Sequence, residues 1–255
     1  MKKFLGKRPH VPGAISWRYS EIFDRKKLMK PPVVFGHIWN TTLIEMLGNS
    51  EAGCCVWSTQ AHLLNNMQRG FSDTTSKFSE ASVLGDYSAA TGYVPGDDAT
   101  DRGTSMADGA AYWRKVGIAD ASGFRHRIDA YVDMNIRNVD DLMQAAFDFG
   151  GIALGVKLPR SADEQWEQGR PWTVVRSSAI IGGHAVSLIG RNSNGHAIIA
   201  TWDGIASATM DWVQEYADEA VAFVSLSYLD ERGMNPRGFN KAEMLKRLAA
   251  LGTVV

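Results

Sequence analysis

The stretch from Leu47 to Leu64, LGNSEAGCCVWSTQAHLL, decides how this chain is read, because it sets the only two cysteines of 255 residues side by side at what looks like the start of a helix. Consecutive Cα atoms lie about 3.8 Å apart, under the ~4.4 Å lower limit of an ordinary disulfide, so Cys54 and Cys55 are expected to stay as thiols. A zinc centre needs more ligands, and the chain has no CxxC, no HExxH and no second cysteine group, so neither a metal nor a cofactor is expected. Gly48 and Gly53 bracket a turn, after which Val56, Trp57, Ala61 and Leu64 recur at helical spacing until Gly70. Cys55 then falls in the first helical turn. There the unpaired amides and the positive end of the helix dipole favour a thiolate. A pair of small buried hydrophobes is the bland alternative.

A second stretch weighs against that alternative. IIGGHAVSLIGRNSNGHAIIATWDG, Ile180 to Gly204, reads as two strands, His184 to Ile189 and His196 to Thr201, joined by a turn at 192–195. His184 follows a Gly-Gly pair, which lets another backbone or side chain come close.

Together these residues resemble the papain-like cysteine peptidases. In that family a Gln lies six residues before the nucleophile and a Gly two before, and a Trp follows on the Cys helix. Here Asn49, Gly53, Cys55 and Trp57 stand in that order. Gly183-His184-Ala185-Val186 is similar to the family's histidine strand, and Ala200-Thr201-Trp202-Asp203-Gly204 to its Asn-Ser-Trp-Gly. The likeness is sharper to papain-like proteins of tailed bacteriophages and prophages, carried by Met46 to Asn49, Gly53 to Cys55, Ala61-His62, Asp86 to Ala89, Asp101 to Thr104, Tyr112 to Arg114 and the run Gly123 to Tyr131. It spans roughly residues 31 to 240.

The resemblance implies an α+β fold in which an N-terminal helical half, carrying the Cys helix, packs against a C-terminal antiparallel β half. It makes Cys55 the nucleophile and His184 its general base. Asn49 stands for the glutamine that donates to the oxyanion, one methylene shorter; loss of such a donor typically costs ~2.7–4 kcal/mol. Ala200 replaces the family's orienting asparagine, which leaves Asp203 as the candidate orienter of His184. Trp202 is expected to shield the histidine, Gly53 and Gly183 to border the site, and Trp166 and Trp172 to line the cleft. Two readings stay open: a cysteine hydrolase (peptidase or amidase), weakened or silenced by the altered third position, or a non-catalytic virion structural or assembly protein on the same scaffold.

The rest of the chain supplies organisation. A basic arm is expected over residues 1–30, which hold nine Lys and Arg against Glu21 and Asp24; the papain-like domain follows over 31–230 (31–150 mainly helical, 151–230 mainly β). Residues 231–255 form an extension with a short amphipathic helix, its stripe being Met244, Leu245, Leu248 and Leu251. The arm is expected to be solvated, with phage structural proteins as candidate partners for it and for the terminal helix, beside a peptide or protein substrate if the site is active. A net charge of −1 and a pI near 6.6 argue against general nucleic-acid binding. No apolar run reaches the ~18 residues of a membrane span, and no secretory signal is legible. The expected setting is a bacterial host cytoplasm, and a virion if the role is structural. Asn138 is expected to cap a helix over Val139 to Phe149 that leads into a strand from Ile152 to Leu158. The acidic run Ala90 to Gly109 is expected to be a solvated loop, and His62 a buried polar contact.

Overall fold

The computed structural model describes residues 2–36, 44–72 and 75–225. After a single helical turn, α1 (Tyr19–Ile22), and a short strand, β1 (Phe35–Gly36), the chain enters α2 (Cys55–Ser72), the helix expected from the cysteine stretch. Two helices follow, and the first carries no apolar stripe comparable to that of α2. The first, α3 (Glu80–Thr91), opens on a capping box between Ser79 and Ser82 and stops at left-handed Gly92, φ 77°. The second, α4 (Met106–Lys115), is capped by the Ser105 side chain, which accepts from the Asp108 amide. The acidic run is thus a loop only between these helices. Nor is it wholly solvated: Asp101 accepts from the Gly53 amide at 2.8 Å and from the Tyr87 hydroxyl.

A small hairpin of β2 (Ile118–Ala119) and β3 (Arg125–His126) leads to β4 (Ala130–Asp133) and α5 (Val139–Phe149). Asn138 caps α5 by accepting from the Asp141 amide, as its position suggested. Then come β5 (Ile152–Pro159), α6 (Arg160–Glu167), β6 (Ile180–Arg191), β7 (Ala197–Thr201), β8 (Gly204–Ala208), α7 (Met210–Tyr216) and β9 (Ala217–Val224).

The strands form one antiparallel sheet in the order β4-β9-β5-β6-β7-β8, with β1 paired to the end of β6. Strand alternation gives this sheet two apolar faces. Leu154, Val156, Val186, Leu188, Ala220 and Ala222 meet α5 and the indoles of Trp172 and Trp212. Their neighbours Ala153, Ala185, Ile189, Val221 and Phe223 meet α2 through Leu63, Leu64 and Met67. Each large side chain so buried is worth roughly 1.5–3 kcal/mol. The architecture is the expected one, helices of the first half against an antiparallel C-terminal sheet. Two details differ in placement: β1 and β4 come from the half expected to be helical, and α5 covers the sheet face opposite α2. The amphipathic segment of 231–255 lies outside the described residues. Among those that are described, no helix is long and apolar enough to cross a membrane.

Candidate active site

The adjacent cysteines part company at the start of α2. Cys54 turns into the helical core, fully buried, its sulfur 3.5 Å from the Leu47 carbonyl and 3.8 Å from Ser58 Oγ. Cys55 turns toward the sheet. Its sulfur accepts from the Ala185 amide at 3.4 Å, and only 1% of the residue is exposed. Burial pushes both thiols up. For Cys55 the amide of Ala185 and the backbone of Gly6 and Lys7 pull the other way.

The neighbour of Ala185 is His184, also 1% exposed. Its Nε2 lies 2.8 Å from Thr201 Oγ1, while Nδ1 is buried with no hydrogen-bond partner among the described residues. The imidazole stacks on the Trp202 indole, with centroids 5.0 Å apart and planes at 19°. Trp202 reaches that position from a left-handed backbone, φ 47°, at the tight turn between β7 and β8. A non-glycine residue in this region carries strain, which such sites tolerate when the surroundings fix it. Burial first, and the Lys3 charge second, lower the His184 pKa to about 3. At neutral pH the ring is therefore uncharged.

Two expected roles need correction. Asp203 does not orient His184: it is exposed at the turn beyond Trp202, and the partner is the hydroxyl of Thr201, two residues before Asp203. The alternation of β7 explains the substitution, because Ala200 and Thr201 face opposite sides of the strand and only Thr201 carries a polar atom. Asn49 does not offer its amide to the cleft. Its Nδ2 donates to the Met46 carbonyl at 2.9 Å and to Ser58 Oγ at 2.6 Å, which uses both protons. The donor that remains is the Cys55 backbone amide, in a first turn that offers it no intrahelical acceptor.

The tryptophans also divide. Trp172 is fully buried and packs on Trp212 at 4.6 Å and Trp202 at 6.1 Å, so it supports the cleft from within the core and does not line it. Trp166 is half-buried and meets Trp202 edge-on at 5.1 Å. Behind Cys55 on α2, buried His62 contacts the Glu45 carbonyl at 2.9 Å, and burial lowers its pKa to about 4. Among the described residues no cluster of three or more His, Cys, Asp or Glu could hold a metal.

The largest departure from expectation is the basic arm. Residues 3–7 are half-buried to buried, and residues 3–8 run through the cleft between the two halves. Lys3 sits 4.6 Å over the Trp202 ring and pairs with Asp163 at 2.8 Å and with Glu167. The Phe4 amide donates to the Asn49 carbonyl at 2.8 Å, and Lys7 N donates to Gly183 O at 3.1 Å. Thr104 N donates to Gly6 O at 2.8 Å while Arg8 N donates to Thr104 O at 3.0 Å, so the arm pairs with Thr104 as a parallel strand. Glycines make room for it. A Cβ on Gly183 would stand 2.2 Å from Lys7 O, and one on Gly53 2.8 Å from Gly6 Cα. The close approach expected at the Gly-Gly pair is real, and the approaching chain is the protein's own. Sequence patterning missed this because a charge-rich terminal stretch reads as solvent-facing; the small residue Gly6 between two lysines was the available signal.

No family model matches the chain, and no curated protein matches it in sequence. Solved structures match its fold. Xylellain, a cysteine protease from Xylella fastidiosa, aligns with a TM-score of 0.66 at 15% identity, over 88% of this chain and 97% of its own. Procathepsin B S9 from Trypanosoma congolense gives 0.59 at 14% identity over 87% and 86%, respectively. The Carica candamarcensis cysteine protease CMS1MS2, solved in complex with E-64, gives 0.56 at 13% over 76% and 99%. The chain has the papain-like α+β fold.

Proposed function

We propose that this protein is a papain-like cysteine hydrolase of peptide or amide bonds, held latent by residues 3–8 of its own chain. The observation that carries the reading is the buried, unpartnered Nδ1 of His184, on a ring fixed by Thr201 and Trp202, one residue from the amide that holds the Cys55 sulfur. A buried ring nitrogen without a partner is rare enough to call for an explanation, and a proton acceptor for the thiol held by the next residue's amide is one.

In the proposed reaction the Cys55 thiol gives its proton to His184 Nδ1 and the sulfur attacks the substrate carbonyl carbon. The Cys55 amide donates to the oxygen that becomes negative. Collapse of the tetrahedral intermediate breaks the C–N bond, and the His184 proton goes to the leaving amine. Water, deprotonated by His184, then hydrolyses the thioester and returns the thiol. Thr201 holds the imidazole as the family's asparagine would, its hydroxyl oxygen accepting from Nε2–H, the tautomer that leaves Nδ1 open to take the thiol proton. With one oxyanion donor in place of two, turnover is expected to be slow.

With the arm seated, none of this proceeds. Cys55 is out of solvent, its thiol is pushed up, and His184 is pushed down, so the reactive ion pair does not form. The consumed Asn49 amide favours a second reading, a non-catalytic scaffold with a virion or assembly role. The motifs similar to phage and prophage proteins make a bacterial cytoplasm or a virion the expected setting for either.

Thiol labelling with the arm displaced tests the proposal. Cys54→Ala protein should still be modified by iodoacetamide at neutral pH, Cys55→Ala protein should not, and both should be protected while the arm is seated. Equal modification of the two variants, or modification only in denaturant, would count against an activated Cys55.

A further inference from the structure

We propose that the pocket now holding the Lys7 side chain is a binding subsite for a lysine or arginine side chain of the substrate, with Gly155, Asp218 and Glu219 as its selecting residues. The proposal deepens the hydrolase reading by naming a side-chain class, and rests on the arm's path being where a peptide lies.

Sheet register builds the pocket beside the reactive sulfur. Ala185, whose amide holds Cys55, is paired across β5 with Gly155, and Gly155 is paired with Glu219 on β9. One row across three strands thus leads from Cys55 to a carboxylate. Between Gly155 and Val156 the pairing skips from Glu219 to Ala217, which makes Asp218 the extra residue of a bulge. Adjacent residues of a regular strand point to opposite faces. The bulge re-aims one of them, so both carboxylates reach the same cation. Lys7 Nζ sits 2.9 Å from Asp218 Oδ1 and 3.0 Å from Glu219 Oε1, ion contacts rather than aligned hydrogen bonds. His10 Nδ1 meets the second Glu219 oxygen at 3.0 Å.

The channel to these acids exists because residue 155 has no side chain. A Cβ there would stand 2.1 Å from Lys7 Cε and 2.9 Å from Cδ. The Lys7 side chain is 1% exposed, and those of Asp218 and Glu219 are 15% and 6% exposed. When the arm leaves, two neighbouring carboxylates lose that cation. Like charges so placed are unfavourable without a counter-ion, and an incoming cationic side chain relieves them where an apolar or acidic one does not.

The test measures binding without chemistry. Full-length Gly6→Ala/Cys55→Ala protein, its arm displaced and its thiol removed, is titrated calorimetrically with acetylated, amidated peptides Phe-Leu-Gly-Xaa-Arg-Pro. Xaa is Lys, Arg, Leu or Glu. Lys and Arg peptides should bind at least ~10-fold more tightly than Leu, with Glu weakest. Adding Asp218→Asn and Glu219→Gln should erase the Lys-over-Leu preference, and adding Gly155→Val should abolish Lys binding. Glu219→Gln alone, the milder change, should narrow the preference if the double change fails to fold. A Leu peptide binding as well as Lys, a preference that survives neutralised acids, or no binding by any peptide would overturn the proposal. Because binding is read without Cys55, peptides that bind as expected but are never hydrolysed by Gly6→Ala protein that keeps Cys55 would sink the hydrolase reading and leave the subsite standing.

Discussion

Gly6→Ala should open the cleft while leaving the fold intact. A Cβ on Gly6 would lie 1.7 Å from Gly53 O and 2.4 Å from Gly53 Cα, backbone atoms that no rotamer change can move away. Ordinary contact needs about 3.5 Å, so the arm must retreat by nearly 2 Å. That distance takes four backbone bonds out of range, Phe4 to Asn49, Lys7 to Gly183, Thr104 to Gly6 and Arg8 to Thr104, now 2.8, 3.1, 2.8 and 3.0 Å long. At about 1 kcal/mol net for each, the seated state loses about 4 kcal/mol, close to three decades in its equilibrium with the open state. Iodoacetamide modification of Cys55, followed by intact mass and mapped to the residue, should accelerate by roughly 10²–10³-fold on that basis. Gly85→Ala is the matched control, since nothing lies within 4 Å of the Cβ it would add. Rapid modification of Cys55 in the unaltered chain, or an unchanged rate in folded Gly6→Ala protein, would refute the occlusion.

Thr201→Val removes the hydroxyl 2.8 Å from His184 Nε2 at almost constant volume, leaving a buried nitrogen unpaired, and should lower stability by about 1–3 kcal/mol. In the Gly6→Ala background it should also slow Cys55 alkylation about tenfold, with Thr201→Ser retaining the rate and Asp203→Ala having no effect. Acid should weaken the fold in a defined window. The folded pKa values of His184 and His62, about 3 and about 4, lie below the unfolded value of 6.5, so their contribution is complete above pH 6.5 and is lost as pH falls toward those values. At pH 5 each should have cost about 2 kcal/mol, visible as falling urea midpoints between pH 7 and 5, and His62→Gln should flatten that slope.

The frame was legible because its signals are local. Cys55 opens a helix after a glycine-bracketed turn, Asn138 caps α5, and the Asn192 to Gly195 turn joins two alternating strands, each a pattern with a single physical reading. The site was half legible, since Cys55 and His184 carry chemistry that announces itself in sequence. What completes them is tertiary. Thr201 was passed over because the family's polar group sits one residue earlier; which of two adjacent strand residues faces His184 depends on register, and register is not printed in the sequence. Asn49 keeps a donor by type and spends it on Met46 and Ser58, a choice made by the fold of the turn. Lys3 and Lys7 read as solvent-facing charge, while their acids lie at 163, 167, 218 and 219, more than 150 residues away in sequence.

Whether Cys55 forms an acyl-enzyme tests the central claim most directly. Gly6→Ala protein incubated with a lysine-containing peptide ester and quenched in acid should carry an acyl mass on the fragment that contains Cys55. That adduct should decay on release from quench at the rate of product formation, and it should be absent from the Cys55→Ala variant. Folded, open protein whose Cys55 alkylates freely, yet which accumulates no acyl adduct and releases no product, would contradict the account and leave a papain-like scaffold without its chemistry.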